Sequence, residues 1–252
     1  RAFLTGICWQ YFDGKPGGPT ARQVYNEGRK LLDAGCDSTA VLVPVADMAK
    51  KIHAPDARAL LDRALIASEN AGTDPAWRFY LALHRAKLYQ ASDEVAQASV
   101  MWDQALESLL QVIRGEGLAG RDPREIYAFT APATSDLPLP SKVKLKDRLM
   151  RLDDVDPWVR HMFLAELDMQ IGWAHRGNEY ADITGQDARI KFKQSLDIAF
   201  DHLMAAYEMH PERPEAATRL ISVAMATDDP KYRHPTLWFE RAVRAEETYQ
   251  TA

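Results

Sequence analysis

Apolar residues recur along most of this chain at helical spacing, three or four positions apart. No stretch alternates apolar and polar residues for long enough to indicate a strand. The pattern predicts an all-α protein with about ten or eleven helices in antiparallel hairpins, stacked as a solenoid or superhelix. Helices are expected over residues 21–34, 38–52, 57–71, 75–90, 92–114, 141–152, 157–176, 186–209, 213–227 and 235–247.

Capping signals mark several of the predicted helix ends. Thr20 and Gln23 have the spacing of a capping box, in which each side chain satisfies a backbone N–H of the other residue. Gly35 suits the position just past a helix end. Asp74 is expected to cap a helix whose first residue is Pro75.

Prolines limit two other segments. Pro44 fits a helix only in its first turn, so that helix is expected to begin near Val43. Residues 116–140 contain four prolines and are expected to hold at most one short helix, around 124–129. The predicted organisation is an N-terminal arm (1–19), a hairpin array (20–115), a Pro-rich connection (116–140) and a second array, continuous with the first (141–252).

Two pairs of predicted helices share one spacing of small and large residues. Successive members of each set lie four, three, nine, four and three positions apart. Small residues let two helices approach closely while a bulky neighbour fills the adjacent groove, so each set predicts a helical hairpin. The sets are Val41, Val45, Met48, Ala57, Leu61 and Ala64, and Ala82, Ala86, Tyr89, Ala98, Trp102 and Ala105.

This spacing resembles the tetratricopeptide repeat, a two-helix unit. Partial matches follow at Ala199, Leu203, Ala206 and Pro211, and at Phe239 and Ala242. The two clear copies are 41 residues apart (Val41 to Ala82), whereas the repeat usually recurs every 34. The first helix also lacks the usual Trp and Gly, so an irregular helical bundle is the alternative.

The C-terminal third resembles a family of uncharacterised bacterial proteins with tetratricopeptide-like helices. The blocks that carry the resemblance are WAHRGNEYAD (173–182), MHPERPEAATRLISVAM (209–225) and LWFERAVRAEETYQTA (237–252). Glu179 stands where that family has a glycine. The resemblance implies a helical fold, a bacterial origin and a family sequence that continues beyond residue 252. It implies no activity.

The charge balance excludes several classes of partner. The net charge is −5 and no dense basic cluster stands alone, so a nucleic-acid partner is not expected. The segment 141–151 is basic but also carries regular apolar residues, which indicates a solvated helix face.

No apolar run is long enough to span a bilayer. A homo-oligomer and either a cytoplasmic or an exported location after loss of a leader all stay open.

No catalytic motif stands out in the sequence. The seven histidines are scattered, and Cys8 and Cys36 are expected to be buried apolar residues rather than a disulfide. Catalytic residues, metal ligands and a cofactor are therefore not predicted. The acidic turn at Asp153, Asp154 and Asp156 indicates a helix start rather than a calcium loop.

One polar and aromatic segment between two long helices is the candidate binding site. Such segments, held by rigid helices, are frequent binding surfaces. In the alternative interpretation Arg176 pairs with Asp182 and the aromatic rings only cover the helix ends. The candidate residues are Trp173, His175, Arg176, Tyr180 and Asp182.

Three functions are compatible with these features. A non-catalytic protein-binding or scaffold module is favoured, because helical arrays present extended surfaces to protein or peptide partners. A helical enzyme or carbohydrate-type binding protein with a central groove is the first alternative. A structural subunit of a larger bacterial assembly, held by the aromatic N-terminal arm, is the second.

Overall fold

The computed structural model describes residues 18–70, 74–116, 122–177, 185–227 and 229–246. These residues form eleven α-helices and one short 3-10 helix, Pro230–Tyr232, with no strand among them, which confirms the all-α prediction. The helices are α1 (Ala21–Asp33), α2 (Thr39–Lys51), α3 (Ala57–Asn70), α4 (Pro75–Ala91), α5 (Val95–Ile113), α6 (Pro123–Thr134), α7 (Leu139–Leu149), α8 (Pro157–Arg176), α9 (Gln186–Met209), α10 (Pro214–Met225) and α11 (Pro235–Ala245).

The chain divides into two compact units, Arg1–Gln111 and Val112–Ala252, and the division falls inside α5. In the first unit, α2 packs between α1 and α3, and α3 also packs on α4. In the second unit, α8 packs on α6, α7 and α9. Helix α10 then packs on α9 and α11. Most of these contacts join helices that follow each other in sequence, as helical hairpins require, while α6 packs on α8.

The predicted capping signals at both ends of α1 are confirmed. Thr20 Oγ1 accepts from the Gln23 N–H, while Gln23 Oε1 accepts from the Thr20 N–H at 2.7 Å. Past the other end, Gly35 has a φ of +85°, and its N–H donates to the Leu32 carbonyl. The Cys36 N–H reaches back to the Leu31 carbonyl, which completes a Schellman motif.

Helix α2 corrects the expectation for Pro44. The helix begins at Thr39 with Ser38 as its N-cap, so Pro44 is the sixth helical residue and lies beyond the first turn. Every residue from Val41 to Ala49 is buried. Apolar burial on all faces outweighs the hydrogen bond that a proline cannot donate.

Two other boundaries also differ from the sequence prediction. Ser92 was expected to start the fifth helix, but it caps the end of α4, and α5 begins only at Val95. The intervening Asp93 has a φ of +57°, which ends the turn. In the Pro-rich range, α6 is a twelve-residue helix that continues through Pro132, longer than the short helix expected there.

The positions of the two spacing sets lie in the core of the first unit. Eleven of the twelve side chains are buried, and Tyr89 is partly exposed. Burial at this spacing supports helix packing through small residues. Membership of the tetratricopeptide class stays a prediction.

A charged network around Tyr89 links α3 and α4. The guanidinium groups of Arg58 and Arg85 lie 4.6 and 4.0 Å from the Tyr89 ring centroid. Arg85, which is buried, pairs with Asp62, while Arg58 pairs with Glu94. The two cations are therefore neutralised by two carboxylates around one aromatic ring.

Three smaller expectations can be compared with the structure. The acidic turn does start a helix, since the Asp156 carboxylate caps α8 by accepting from the Val159 N–H at 3.0 Å. Cys36 is a free thiol of intermediate exposure, so the expectation that it is buried was wrong, and Cys8 lies outside the described residues. No described helix is long and apolar enough to cross a membrane.

Candidate functional site

Three of the predicted site residues lie in the last turn of α8. Trp173 is 43% exposed, and His175 and Arg176 follow it at the end of the helix, where positive charge suits the helix dipole. Gly177 ends the helix with a φ of +71°, and its N–H donates to the Trp173 carbonyl at 2.9 Å. The turn that carries Trp173 is therefore closed by a backbone hydrogen bond.

A close approach of α8 to α9 positions Trp173. A Cβ atom at Gly172 would lie 2.8 Å from the Ser195 Cβ and 3.4 Å from the Phe192 ring. Only glycine permits this separation, because real Cβ atoms do not approach so closely. The missing side chain at Gly172 thus lets the neighbouring Trp173 reach the ring of Phe192.

Trp173, Arg176 and Phe192 pack together in a group named here the Trp173 cluster. The two aromatic ring centroids are 4.7 Å apart, with the planes tilted by 60°. The Arg176 guanidinium lies 5.0 Å from the Trp173 ring and 5.8 Å from that of Phe192. Phe192 is buried, so it anchors the exposed tryptophan to the hairpin. Both contacts restrict the side-chain freedom of Trp173 before any ligand binds.

The remaining predicted site residues are not brought into this cluster. His175 is exposed and has no ring contact with Trp173 or Phe192. Tyr180 and Asp182 lie outside the described residues, so the pairing of Arg176 with Asp182 stays a prediction. Among the described side chains, none forms an ion pair with Arg176.

The start of α9 adds apolar and basic groups to the same end of the hairpin. Ile190 is 47% exposed, and Lys191 beside it is also exposed. With Arg176, these residues combine apolar surface and positive charge, in a chain whose net charge is −5.

A histidine pair between α8 and α9 was missed by sequence reasoning. The Nδ1 atoms of His161 and His202 are 3.0 Å apart, and the ring centroids are 5.1 Å apart. Burial lowers the pKa of both imidazoles, and the nearby Arg160 contributes in the same direction. The two residues are 41 positions apart, so only the register of the two helices brings them together.

A nearly enclosed ion pair lies between α7 and α8. Lys146 Nζ donates to the carboxylate of Asp168, which is almost fully buried. Burial raises the pKa of Asp168 above its usual value, even though Lys146 opposes this shift. This pair also had no signal in the sequence.

In the first unit, α2 and α4 share another polar group. The buried Asp47 accepts a hydrogen bond from the Tyr80 hydroxyl and lies 3.0 Å from Lys51 Nζ. Lys50 Nζ donates to the His84 imidazole at 2.9 Å, and the His84 ring packs edge-on against Tyr80 at 4.2 Å. The i, i+4 spacing of Tyr80 and His84 is visible in the sequence, but their partners on α2 are not.

One groove in the second unit lies where α10 gives way to α11. It has a volume of about 520 Å³. Its polar lining includes Asp229, Arg233 and His234, and Asp229 also forms an ion pair with Lys193 at 2.9 Å. Across the described ranges, no three His, Cys, Asp or Glu side chains converge as a metal site would require.

Comparison with known proteins finds no match for this chain. No protein-family model, no curated protein and no solved structure matches the chain.

Proposed function

We propose that this chain is a non-catalytic protein-binding module and that the Trp173 cluster contacts its partner. The observation that carries the proposal is a tryptophan that is 43% exposed yet held by Phe192 and Arg176. Tryptophan and arginine dominate the binding energy of protein interfaces. A side chain that is already ordered loses less entropy on binding.

The chemistry of the surface indicates the kind of segment it fits. The Arg176 guanidinium lies 5.0 Å from the Trp173 ring centroid and carries five N–H donors in a planar fork that matches a carboxylate. Ile190 and Lys191 add exposed apolar and positive groups at the same end of the hairpin. A partner segment with an apolar or aromatic anchor next to a carboxylate satisfies both features.

The test is recovery of a partner by native purification. The wild-type chain and Trp173→Ala are purified under identical conditions, and the stoichiometry of each complex is measured by size-exclusion chromatography with light scattering and mass spectrometry. The proposal expects a protein in fixed ratio with the wild type, and an affinity for the purified partner at least about tenfold weaker for Trp173→Ala.

Val100→Ala is the matched control, because Val100 is exposed but lies in the first unit. It should bind the partner like the wild type. A wild-type chain that elutes alone, or a partner held equally by Trp173→Ala, would contradict the proposal. A mass that is a multiple of the chain mass would instead indicate a homo-oligomer.

A second candidate function is small-ligand binding of the carbohydrate type at α2 and α4. Trp77 is 42% exposed, and its ring lies 6.2 Å from that of Tyr80, whose hydroxyl donates to Asp47. An exposed indole beside polar groups suits a sugar, which has an apolar face and a hydroxyl rim. Saturation-transfer NMR with a panel of oligosaccharides tests it. A signal lost in Trp77→Ala and kept in Trp173→Ala supports this site, and no signal from the wild type excludes the sugars tested.

A further inference from the structure

The His161–His202 contact has the geometry of a hydrogen bond between two imidazoles. With the nitrogens 3.0 Å apart and the centroids 5.1 Å apart, each Nδ1 faces the other. One Nδ1 must carry a proton and donate it, while the other must accept. At least one of the two rings therefore has to be neutral.

The charged groups around the pair come from three helices. Lys146 on α7 and Arg160 on α8 act as cations on it, and Asp201 on α9 acts as an anion on His202. Lys146 is tied to Asp168, and Arg160 donates to the Leu152 carbonyl at 2.8 Å. Both cations are thus held in place, and protonating the second imidazole would add a further positive charge near them.

The same surroundings disfavour a metal ion at this position. Structural zinc sites use four protein ligands and catalytic sites three. The histidine pair supplies two, and no third side chain converges on it within the described part of the chain. A proton is the ligand that the arrangement accommodates.

We propose that the His161–His202 pair is a proton-controlled clasp between α8 and α9, closed at neutral pH and opened when both imidazoles are protonated in mildly acidic solution. When both imidazoles are protonated, both Nδ1 atoms carry a hydrogen, so two N–H groups face each other and neither ring can accept. The hydrogen bond is then replaced by repulsion between two partly buried cations. The clasp does not depend on the proposed partner of the Trp173 cluster.

The sign of the pH dependence follows from the lowered pKa values. In the unfolded chain both imidazoles titrate near 6.5, whereas burial and the neighbouring cations lower both values in the folded protein. The unfolded chain therefore binds more protons in mildly acidic solution. Stabilisation from the pair is complete above pH 6.5 and is lost as the pH falls through the folded pKa values.

Hydrogen exchange measured by mass spectrometry on the full chain tests the clasp locally. Protection factors are compared at pH 7.5 and 5.5, after correction for the intrinsic rate, for peptides from α8 and α9 and for reference peptides from α2 and α3. In the wild type, protection of α8 and α9 should fall at least about tenfold, because at pH 5.5 the unfolded chain binds more protons at both imidazoles than the folded chain does. The reference peptides should change less.

His202→Asn is the decisive variant, because an amide can pair with His161 Nδ1 but does not titrate in this range. Its α8 and α9 peptides should keep most of their protection at pH 5.5. His175→Asn, an exposed histidine on the same helix, should behave like the wild type. An equal loss of protection in the wild type and His202→Asn, or no loss in the wild type, overturns the proposal.

A second measurement keeps the test valid if His202→Asn fails to fold. Imidazole ¹⁵N NMR of the wild type reports the titration of each histidine, with His161→Asn used for assignment. The clasp requires His161 and His202 both to titrate below pH 6.5. A midpoint at or above 6.5 for either ring overturns it.

Discussion

The ammonium group of Lys146 on α7 donates a hydrogen bond to the carboxylate of Asp168 on α8, and this carboxylate is almost completely buried. Burial outweighs the attraction of Lys146, because the pKa of Asp168 remains raised. A carboxyl whose folded pKa is raised is better accommodated protonated, so its ionised form reduces stability as the pH rises through that value. A buried ion pair of this kind is therefore not expected to add much net stability to the unit.

This relationship predicts opposite results for single and double substitutions. Lys146→Met leaves a buried carboxylate without its partner and should reduce the free energy of unfolding by about 3 kcal/mol or more. Lys146→Met with Asp168→Leu removes both charges and should restore most of the loss. Urea unfolding, monitored by tryptophan fluorescence, gives the free energy of unfolding of both variants. Hydrogen exchange of α7 and α8 reports the same change locally. A double variant as unstable as the single one would show that the pair contributes net stability.

Tyr232 should titrate far from the other tyrosines. Its side chain is fully buried and its hydroxyl donates to Asp197 at 2.8 Å, and burial with this carboxylate raises its pKa to about 12. The absorbance at 295 nm of the wild type minus that of Tyr232→Phe should stay flat through pH 10, where exposed tyrosines ionise. The stabilisation is present below pH 10 and is lost as the pH rises towards 12.

Asp197→Asn provides the control for the cause of this shift. Removing the carboxylate should move the Tyr232 midpoint downwards, while burial still holds it above 10. Circular dichroism at each pH establishes that the chain remains folded. A Tyr232 midpoint near 10 in the folded wild type would be incompatible with the Asp197 contact.

The capping box of α1 gives a local prediction. Thr20→Ala removes the acceptor for the Gln23 N–H and should destabilise α1 by about 1 kcal/mol. Thr20→Ser keeps the hydroxyl and should change little. Hydrogen exchange of α1 peptides, with α4 peptides as the internal reference, measures the difference. Equal exchange in the alanine and serine variants would show that the cap has no energetic role.

Local signals explain why the helices could be predicted from the sequence. Thr20, Gly35 and Asp74 act within one turn of their own positions, and the structure uses each as the pattern indicates. Pro44 was misjudged for the opposite reason. Its cost is local, but burial of the whole of α2 is a tertiary effect that a single segment does not reveal.

The polar pairs could not be predicted, because each joins two helices. His161 and His202 are 41 residues apart, and Tyr80 and Asp47 are 33 apart. A shift of one residue in either helix register would rotate one member of each pair away from the other. The exposed Trp173 was selected by composition, but its contact with Phe192 required the close approach at Gly172.

Gly172 therefore links the fold to the proposed binding surface. Gly172→Ala places a Cβ atom 2.8 Å from that of Ser195, and because both atoms are attached to helix backbones, α8 and α9 must separate. Overpacking of this kind costs about 1–3 kcal/mol. The expected result is a lower unfolding midpoint for the second unit and a weaker Trp173–Phe192 contact. The contact is followed by the fluorescence of Trp173, obtained as the difference between each chain and the same chain carrying Trp173→Phe.

The matched control is Gly185→Ala, since no atom lies within 4 Å of a Cβ at that position. It should cost about 0.5–1 kcal/mol, the difference between glycine and alanine at an N-cap. Gly172→Ala combined with Ser195→Gly removes the clash and should recover the fluorescence, although glycine inside α9 still costs about 1 kcal/mol. If the double variant does not recover it, the separation of α8 and α9 is not what positions Trp173.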